Sequence, residues 1–291
     1  MSISVNLIGS ASGIGARDAG SGDGPVVLKD SAFLAEDLKR FGIQANWQAL
    51  LHPAAANSKL LSLQSHCLAL ATEVRTALQH KTFFTVFGGD HSCAIGTWSG
   101  VYAAVKDRGD LGLIWVDAHM DSHTPQTSST GNFHGMPLAT LLGQGPAELV
   151  TILDSHPKLK PEHVCLIGVR SYESGEAELL KRLNVRVFYI EEVKERGLDA
   201  VMQDALQIVT QGTIGYGITI DVDSIDPSDA PGTGVAEPNG LSAESLCHAL
   251  RLLVRDQRFL GAEIVEFDPH RDINHLTEKW VSRLLTAILV Q

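Results

Sequence analysis

The 291-residue sequence lacks long apolar runs, paired cysteines and an excess of basic residues. No apolar run approaches the ~20 residues that a membrane-spanning helix needs, and the amino-terminal MSISVNLIGS lacks the basic start and long apolar stretch of a signal peptide. The four cysteines form no CxxC pair, which is typical of buried thiols in a reducing compartment. We therefore expect a cytoplasmic protein that is neither secreted nor embedded in a membrane.

The charge is strongly acidic, with 34 Asp and Glu against 23 Lys and Arg and a net charge of −11. This balance argues against nucleic acid as a partner, because a polyanion would be repelled. A hydrophobic fraction of 44%, with 20% charged residues and 11 prolines, is ordinary for a globular protein. The length suits one large α/β domain or two small ones.

Short runs that are apolar on both faces alternate with segments of helical periodicity. The runs predict buried strands at Val5–Ile8, Phe83–Phe87, Leu113–Val116, Val164–Val169, Val185–Ile190, Ile218–Val222 and Ile264–Phe267. The periodic segments predict helices at Ser31–Arg40, Ser58–Gln79, Ala94–Lys106, Glu176–Leu183, Ala200–Thr210, Ser242–Asp256 and Glu278–Val290. Such alternation is typical of a parallel sheet covered on both faces, and no linker or repeat divides the chain. We predict a single-domain three-layer α/β/α sandwich over residues 1–291, with a central parallel sheet.

A glycine-rich segment after the first strand suggests a dinucleotide-binding turn. Gly9-Ser-Ala-Ser-Gly13-Ile-Gly15 has the required glycines, and Tyr102-Ala-Ala-Val-Lys106 supplies a Tyr-xxx-Lys. However, the residues after Gly15 cannot continue the helix that would hold the pyrophosphate, and no acidic residue follows a second strand near Ala45–Leu51. We interpret Gly9–Pro25 as a long loop with left-handed glycine turns.

Three clusters of acids and imidazoles follow predicted strands, where open α/β sheets gather their ligands. They are Gly88-Gly89-Asp90-His91-Ser92, Asp117-Ala118-His119-Met120-Asp121 and Asp221-Val222-Asp223-Ser224-Ile225-Asp226-Pro227. In an extended segment alternate residues point the same way, so Asp117, His119 and Asp121 should face one side, as should Asp221 and Asp223.

Taken alone, an Asp-x-Asp at a strand end is more often a turn or a helix cap than a metal ligand. Three ionisable groups on one side of a strand that enters a core are costly unless they are coordinated or hydrogen-bonded. With His91 as a sixth candidate ligand, the set contains four carboxylates and two imidazoles, which suits Mn²⁺ and is too anionic for one divalent ion. We therefore predict two ions that share bridging carboxylates and activate one water.

Together these motifs resemble the three signatures of the ureohydrolases, the arginase and agmatinase superfamily, in order and in spacing. The resemblance covers nearly the whole chain. It implies an α/β/α sandwich, a pair of Mn²⁺ ions, a small guanidino substrate and a homo-oligomer, commonly a trimer or a hexamer. It further implies that one ion is held by His91, Asp117, Asp121 and Asp221, and the other by His119, Asp117, Asp221 and Asp223.

The resemblance also implies two catalytic side chains. Glu266, in Val265-Glu266-Phe267-Asp268-Pro269, matches the glutamate that pairs with the substrate guanidinium. His134, in Gly131-Asn132-Phe133-His134-Gly135, matches the histidine that moves a proton to the leaving amine. Without the resemblance, Glu266 would be interpreted as an ordinary carboxylate at a strand end. His134 would be a loop histidine with no assigned function.

The loop before His134 indicates which guanidino compound is hydrolysed. It ends in Ser/Thr-Gly-Asn-x-His-Gly, as in arginase-like sequences, where such a loop binds the substrate α-carboxylate. Further on, Gly168–Glu176 resembles the arginase segment that contacts the α-ammonium. The resemblance therefore implies hydrolysis of L-arginine to L-ornithine and urea, with substrate contacts from Ser128, Thr130, Asn132, His123, Glu173 and Glu176.

Three positions depart from the arginase pattern. His123 stands where arginases have an asparagine, Glu173 replaces a shorter aspartate, and Val235 replaces a threonine. A protonatable histidine can pair with a carboxylate, while the extra methylene of Glu173 changes the pocket's length. The alternative substrates are 4-guanidinobutyrate, agmatine and formimidoylglutamate.

Two further alternatives remain open. A metal-loaded but catalytically silent homologue would keep the ligands without turnover, although the presence of His134 and Glu266 argues against this. Deacetylases of the related fold use a different ligand set from the Asp-x-His-x-Asp and Asp-x-Asp motifs of this chain.

Overall fold

A computed structural model of the chain describes residues 3–290. All of its strands join one parallel sheet, and helices connect them. The strands are β1 (Ile3–Ser10), β2 (Ile43–Leu51), β3 (Phe84–Gly88), β4 (Asp110–Val116), β5 (Val164–Val169), β6 (Arg186–Tyr189), β7 (Thr213–Asp221) and β8 (Phe259–Val265). The α-helices are α1 (Gly24–Lys29), α2 (Ala32–Arg40), α3 (Lys59–Gln79), α4 (Ala94–Val105), α5 (Pro137–Leu141), α6 (Ala147–Val150), α7 (Ser174–Leu183), α8 (Ile190–Arg196), α9 (Leu198–Thr210), α10 (Ala243–Leu250) and α11 (Leu276–Leu289).

The strand order in the sheet is β2-β1-β3-β8-β7-β4-β5-β6, and every neighbouring pair is parallel. Alternate residues of β4 face different apolar clusters. Ile114 and Val116 belong to the cluster that includes α9 and α11, whereas Leu113 and Trp115 belong to the cluster that includes α3 and α4. The sheet therefore lies between two helical layers. This confirms the predicted α/β/α fold class with a central parallel sheet.

The predicted strands are present, with shifts at their ends. The strand predicted over Val185–Ile190 extends too far, because Ile190 begins α8. The strand predicted at Ile264–Phe267 begins earlier, at Phe259, and ends at Val265. Its apolar pattern is interrupted by Gly261 and by Glu263, a buried carboxylate in the middle of the strand.

The predicted helices are also present. Ser31, Ser58 and Ser242 cap α2, α3 and α10, since each side-chain oxygen accepts a backbone N–H three residues ahead. The single helix predicted over Ser242–Asp256 is wrong beyond Leu250, where the backbone tightens into a 3-10 turn. The prediction of a loop through Gly9–Pro25 is wrong at its end, where a 3-10 helix covers Gly20–Asp23 and α1 begins at Gly24.

None of the helices described between residues 3 and 290 has the length and apolar character needed to cross a bilayer.

Candidate functional site

The candidate site lies at the carboxyl ends of the four central strands. The strands β3, β8, β7 and β4 are neighbours in that order, although the chain visits β3 and β4 long before β7 and β8. Strands β3 and β4 follow one another in the chain but are separated in the sheet by β8 and β7. Open α/β sheets form their binding crevice where the strand order changes direction in this way. The residues that follow these strands meet there: His91 after β3, Asp117–Asp121 after β4, Asp221 and Asp223 at β7, and Glu266 after β8.

One group of ligands surrounds His91. Its Nδ1 atom lies 3.2 Å from Asp117 Oδ2, 3.0 Å from Asp121 Oδ2 and 3.1 Å from Asp221 Oδ2. Three carboxylate oxygens from two different strand ends therefore converge on one imidazole nitrogen. His91, Asp117 and Asp221 are buried and are placed so that they could hold a metal ion together.

A second group surrounds His119. Its Nδ1 atom lies 3.0 Å from Asp223 Oδ2 and 3.5 Å from Asp117 Oδ1. These three residues also form a cluster that could hold an ion. Asp117 belongs to both clusters, with Oδ2 on the His91 side and Oδ1 on the His119 side. The two clusters therefore share one carboxylate residue, and each could hold a metal ion.

The backbone reaches this arrangement by a different route from the one the sequence suggested. The expectation that Asp117, His119 and Asp121 share one side of an extended segment is wrong, because β4 ends at Val116 and Asp121 has a left-handed backbone with φ of 47°. Likewise, Asp223 lies in a 3-10 helix over Val222–Ser224 that immediately follows β7. The residues converge through turns and not through strand alternation.

The electrostatics of the cluster also fit a pair of divalent cations. Burial, with the neighbouring Asp117 charge, raises the pKa of Asp121 to about 7. Burial and the charges of Asp223 and Asp117 raise the pKa of Asp221 well above its usual value. Although burial opposes its charging, hydrogen bonds to three aspartates raise the pKa of His91 well above its usual value. So many buried acids are costly without compensating positive charge, which bound metal ions would supply.

A tryptophan supports the floor of the site. The indole of Trp115 stacks on the His91 ring, with centroids 4.4 Å apart and an interplanar angle of 17°. Its Nε1–H donates to Asp117 Oδ2 over 2.8 Å. Trp115 was given no role from the sequence, because its orientation depends on the neighbouring strands.

Glu266 and His134 form an adjacent pair. Glu266 Oε1 lies 3.2 Å from His134 Nδ1 and accepts the backbone N–H of His91 over 2.8 Å. Although burial opposes the charged forms of both side chains, their hydrogen bond raises the pKa of His134 to about 9 and lowers that of Glu266. The pair therefore carries an imidazolium and a carboxylate at neutral pH.

The backbone holds Glu266 firmly in this position. Its φ of 63° lies in the left-handed region, which costs a residue other than glycine ~1–2 kcal/mol. Its N–H donates to the carbonyl of Gly89 over 2.7 Å, which fastens the end of β8 to the turn after β3. Strained backbone of this kind clusters at functional sites, and here it occurs at both Glu266 and Asp121.

The glycine-rich segment after β1 closes one side of this turn. Gly15 donates its N–H to Asp90 Oδ2 over 2.9 Å, and its carbonyl accepts the N–H of His134 over 3.2 Å. A Cβ at Gly15 would lie 2.4 Å from Asp90 Oδ1 and 2.4 Å from Ser92 Oγ. Glycine is needed at this position because the backbone lies close to the side chains of Asp90 and Ser92, and not because a phosphate binds there. Asp90 supports the turn and is absent from both potential metal clusters.

A cavity of about 310 Å³ opens over the cluster. It is lined by most of the predicted site residues, namely His119, Asp121, His123, Ser128, Thr130, Asn132, His134, Glu173, Glu176, Asp221, Asp223 and Glu266. Only His91 and Asp117, of the residues predicted, are not among its lining residues, and both are fully buried beside Asp221. The fold thus gathers side chains that span more than half of the sequence.

At the mouth of the cavity, Ser128 and Thr130 order their own loop. Ser128 Oγ accepts the N–H of Gly131 over 3.0 Å, and Thr130 Oγ1 accepts the N–H of Asn132 over 3.2 Å. Both hydroxyls accept in these bonds, so their own protons remain available to a ligand. Gly131 has a φ of 71°, which a residue with a side chain rarely adopts.

His123 lies against carboxylates of the protein itself. Its Nε2 atom is 3.4 Å from Glu176 Oε2 and 3.7 Å from Glu173 Oε2. Glu176 also accepts the backbone N–H groups of Ser122 and of Glu173, at 3.1 and 3.0 Å, so it caps α7 and fastens that helix to the ligand segment. His123 and Glu176 therefore form one wall of the cavity.

Sequence reasoning missed Glu237, which also lines the cavity. Its Oε1 atom accepts from Ser171 Oγ over 3.0 Å and lies 3.7 Å from His119 Nε2. Arg170 holds the surrounding loop by donating to backbone carbonyls, including those of Glu237 and Asp223. Glu237 lies 14 residues beyond Asp223 in a segment without helical or strand pattern, so no sequence signal identified it.

Comparisons with known proteins agree with this geometry. The sequence is 40% identical over 219 residues to an arginase of Bacillus caldovelox, covering 75% of this chain and 72% of that protein. It is 32% identical to an arginase of Staphylococcus aureus strain MRSA252, covering 96% and 94%. A crystal structure of arginase from Bacillus subtilis superposes with a TM-score of 0.91 at 33% identity, covering 99% of each chain. A sequence model of the arginase family matches residues 4–290, and the chain belongs to that family.

Proposed function

We propose that the protein is a hydrolase that cleaves the guanidinium group of L-arginine to give L-ornithine and urea. The observation that carries this proposal is the placement of Glu266 and His134 beside the two Asp/His clusters at the base of one cavity. A carboxylate that pairs with a guanidinium, a proton donor and a site for metal-activated water are the three components that the reaction requires. The arginase relatives act on the same bond type and support the choice of substrate.

We further propose that the clusters hold two Mn²⁺ ions. The first set consists of His91, Asp117, Asp121 and Asp221, and the second of His119, Asp117, Asp221 and Asp223. Oxygen-rich sites with two imidazoles suit Mn²⁺, and the buried carboxylates need the positive charge. When bound, such ions lower the pKa of a water molecule and supply a nucleophile at neutral pH.

Glu266 binds and orients the substrate. Its carboxylate is 6% exposed and ionised, and a planar guanidinium can pair with it through two parallel N–H···O bonds. The backbone N–H of His91 fixes Oε1, and the left-handed backbone fixes the direction of the side chain. Such positioning places the electrophilic carbon over the clusters and lowers the entropic part of the barrier.

His134 supplies a proton to the leaving group. The departing δ-amine of ornithine is a poor leaving group until it is protonated, so a charged imidazole beside the scissile C–N bond assists cleavage. Contact with Glu266 keeps His134 protonated at neutral pH. When the guanidinium binds Glu266, the imidazolium remains close to the bond that breaks.

The opposite end of L-arginine matches the mouth of the cavity. We assign the α-carboxylate to the O–H and N–H donors of Ser128, Thr130 and Asn132, and the α-ammonium to Glu173 and Glu176. Glu176 is buried and Glu173 is largely exposed, so the two offer negative charge at the inner and outer parts of the wall. His123 Nε2 lies 3.4 Å from Glu176 Oε2 and occupies this part of the wall in the absence of substrate.

The test is turnover by the Mn²⁺-loaded protein on L-arginine, agmatine, 4-guanidinobutyrate and formimidoylglutamate at matched concentrations. We expect L-arginine to be preferred by ~100-fold or more in kcat/KM over agmatine, because agmatine leaves the carboxylate donors unpaired. The Asp121→Ala variant should lose turnover, and Asp107→Ala, at an exposed aspartate outside the cavity, should keep it.

If agmatine or 4-guanidinobutyrate is turned over in place of L-arginine, His123, Glu173 and Val235 have redefined the pocket. Turnover of formimidoylglutamate alone would overturn the guanidinium chemistry. Absence of turnover on all four substrates at full metal occupancy would establish a silent homologue.

We also propose that the protein works in the cytoplasm as a trimer or hexamer of identical chains. The buried free cysteines support a reducing compartment, and the family resemblance supports the oligomer. Sedimentation velocity at micromolar concentration should give a mass three or six times that of the chain, and a monomer at that concentration would contradict the proposal.

A further inference from the structure

A glutamate lies in the middle of β8, outside the cavity and fully buried. Glu263 is 0% exposed, yet its carboxylate lies among groups that can donate hydrogen bonds. Its Oε1 atom accepts from Thr97 Oγ1 and from Cys93 Sγ, the latter over 3.5 Å. Its Oε2 atom accepts from Trp98 Nε1 over 3.2 Å and from Thr219 Oγ1 over 2.9 Å. Burial raises the pKa of Glu263, and these four hydrogen bonds offset the cost of burying its carboxyl group.

One of these donors connects Glu263 to the metal cluster. Thr219 Oγ1, on the neighbouring strand β7, also lies 3.0 Å from His91 Nε2. A hydroxyl carries a single proton. Glu263 Oε2 receives the N–H of Trp98, which can only donate, so this oxygen is an acceptor toward Thr219 as well. Thr219 therefore donates to Glu263 and accepts from His91, so the Nε2 atom of His91 must carry a proton.

The other nitrogen of His91 is then without a proton when the ring is neutral. This Nδ1 atom faces Asp117, Asp121 and Asp221 at 3.0–3.2 Å. A lone pair repels carboxylate oxygens at that distance unless a cation lies between them. The hydrogen-bond chain in the core thus selects the tautomer of His91 that a metal ion requires.

We propose that Glu263 is a positioning residue which, through Thr219, holds the His91 proton on Nε2 and directs the Nδ1 lone pair at the metal centre. The inference rests on the proposed metal pair and is independent of which guanidino compound is the substrate. Glu263 and Thr219 touch neither the cavity nor the reacting atoms.

Among the described residues 3–290, His119, the second histidine of the centre, has no such chain. The Nε2 atom of His119 faces Glu237 at 3.7 Å, and its side chain is 23% exposed, so water can satisfy that nitrogen. The His119 ligand group should therefore be indifferent to changes at Thr219 and Glu263. This difference between the two histidines provides an internal control.

The experiment compares Thr219→Val with Thr219→Ser. Valine has the shape of threonine without the hydroxyl, whereas serine keeps the hydroxyl and loses only a methyl group. Metal-free protein is titrated with Mn²⁺, and free Mn²⁺ is followed by electron paramagnetic resonance. Loss of a hydrogen-bonding partner of a metal-ligating histidine typically weakens metal binding ~10–100-fold, so Thr219→Val should weaken one of the two binding steps by this factor. Thr219→Ser should bind both ions as the parent protein does.

A second pair of variants tests Glu263 itself. Glu263→Gln keeps one oxygen that can accept from Thr219, and Glu263→Leu keeps none. The leucine variant should therefore lose more affinity at the site that contains His91. Circular dichroism and thermal unfolding of the metal-free variants establish that each is folded before titration. A variant that does not fold is replaced in the comparison by the Thr219 pair.

The outcomes separate this inference from the proposed substrate. Equal Mn²⁺ affinities in Thr219→Val, Thr219→Ser and the parent protein would overturn it, as would equal weakening of both binding steps. If the parent protein binds no Mn²⁺, both the metal centre and the inference fail. If the expected affinities are found but L-arginine is inert, the substrate proposal fails and the role of Glu263 stands.

Discussion

Replacing Glu266 by glutamine should lower the pKa of His134. The two side chains are 3.2 Å apart, with Glu266 6% exposed and His134 half-buried. Burial alone would depress the pKa of His134, yet contact with Glu266 raises it to about 9, from an ordinary value of 6.5. A difference of about 2.5 corresponds to ~3 kcal/mol in favour of the charged imidazole, at about 1.4 kcal/mol for each pH unit.

Glutamine keeps the shape of Glu266 and removes its charge. The more distant charges of Asp121 and Asp90 remain, so we expect the pKa of His134 to fall from about 9 toward its ordinary value of 6.5. At pH 7.5 the parent protein would then be almost fully protonated at His134, whereas the variant would be mostly neutral. The proton for the leaving amine would be missing in most molecules of Glu266→Gln, in addition to the loss of guanidinium binding.

The assay is a nuclear magnetic resonance titration of ¹⁵N-labelled histidines in the metal-free protein, with His134→Asn to assign the signal. A pKa near 9 in the parent and near 7 or below in Glu266→Gln is expected. An unchanged pKa in the variant, or a parent value near 6.5, would refute the pairing of these two side chains. Asp107→Asn, at an exposed site outside the cavity, should leave the titration unchanged.

Other parts of the structure make separate predictions. His66 is buried beside Ser10, with 2.8 Å between Nε2 and Oγ, and burial lowers its pKa from 6.5 to about 4. The neutral imidazole therefore contributes its full stability above pH 6.5, and this contribution is lost as the pH falls from 6.5 to 4. Between pH 7 and 5 the free energy of unfolding should fall ~2 kcal/mol more in the parent than in His66→Gln by urea denaturation, and equal falls would contradict the shift. Gly15→Ala should destabilise the fold by ~1–3 kcal/mol in the same assay, since its Cβ would overlap Asp90, and unchanged stability would show that the loop moves freely. Glu173→Gln, at the exposed carboxylate assigned to the α-ammonium, should raise the KM for L-arginine and agmatine ~2- to 5-fold and leave that for 4-guanidinobutyrate, which has no ammonium, unchanged; equal effects on all three would exclude a charge contact.

The sequence predicted the fold class and the convergence of the site, for physical reasons. Strands that are buried on both faces form continuous apolar runs, and the pattern recurs between helices of regular period. Parallel strands also gather their carboxyl ends at one edge, so acids and imidazoles that follow several strands were expected to meet. The structure confirms this for His91, Asp117 and Asp221. None of these steps required knowledge of the strand order.

What could not be predicted depends on contacts between strands that are distant in the chain. Glu263 interrupts an apolar pattern and gave no signal of its own, because its partners lie on α4 and on β7. Trp115 is placed against His91 by the neighbouring position of β3, β8, β7 and β4. His123 was expected from the sequence to be a partner for the carboxylate of the substrate, and the structure places it beside Glu176. In each case the missing information was which elements are neighbours in space.

The same central position explains how the fold tolerates a costly site. Asp121 and Glu266 both have left-handed backbones, and buried acids crowd the ends of four strands. These features oppose folding, since strain and unpaired charge each cost free energy. They lie, however, at the end of a sheet whose two faces are each covered by an apolar layer of helices, and this layered core does not include the ligands. The apolar layers determine the fold and hold the strand ends in place. The carboxylates can therefore be arranged for binding cations, because burial in the apolar layers offsets the cost of the strain and of the buried charge.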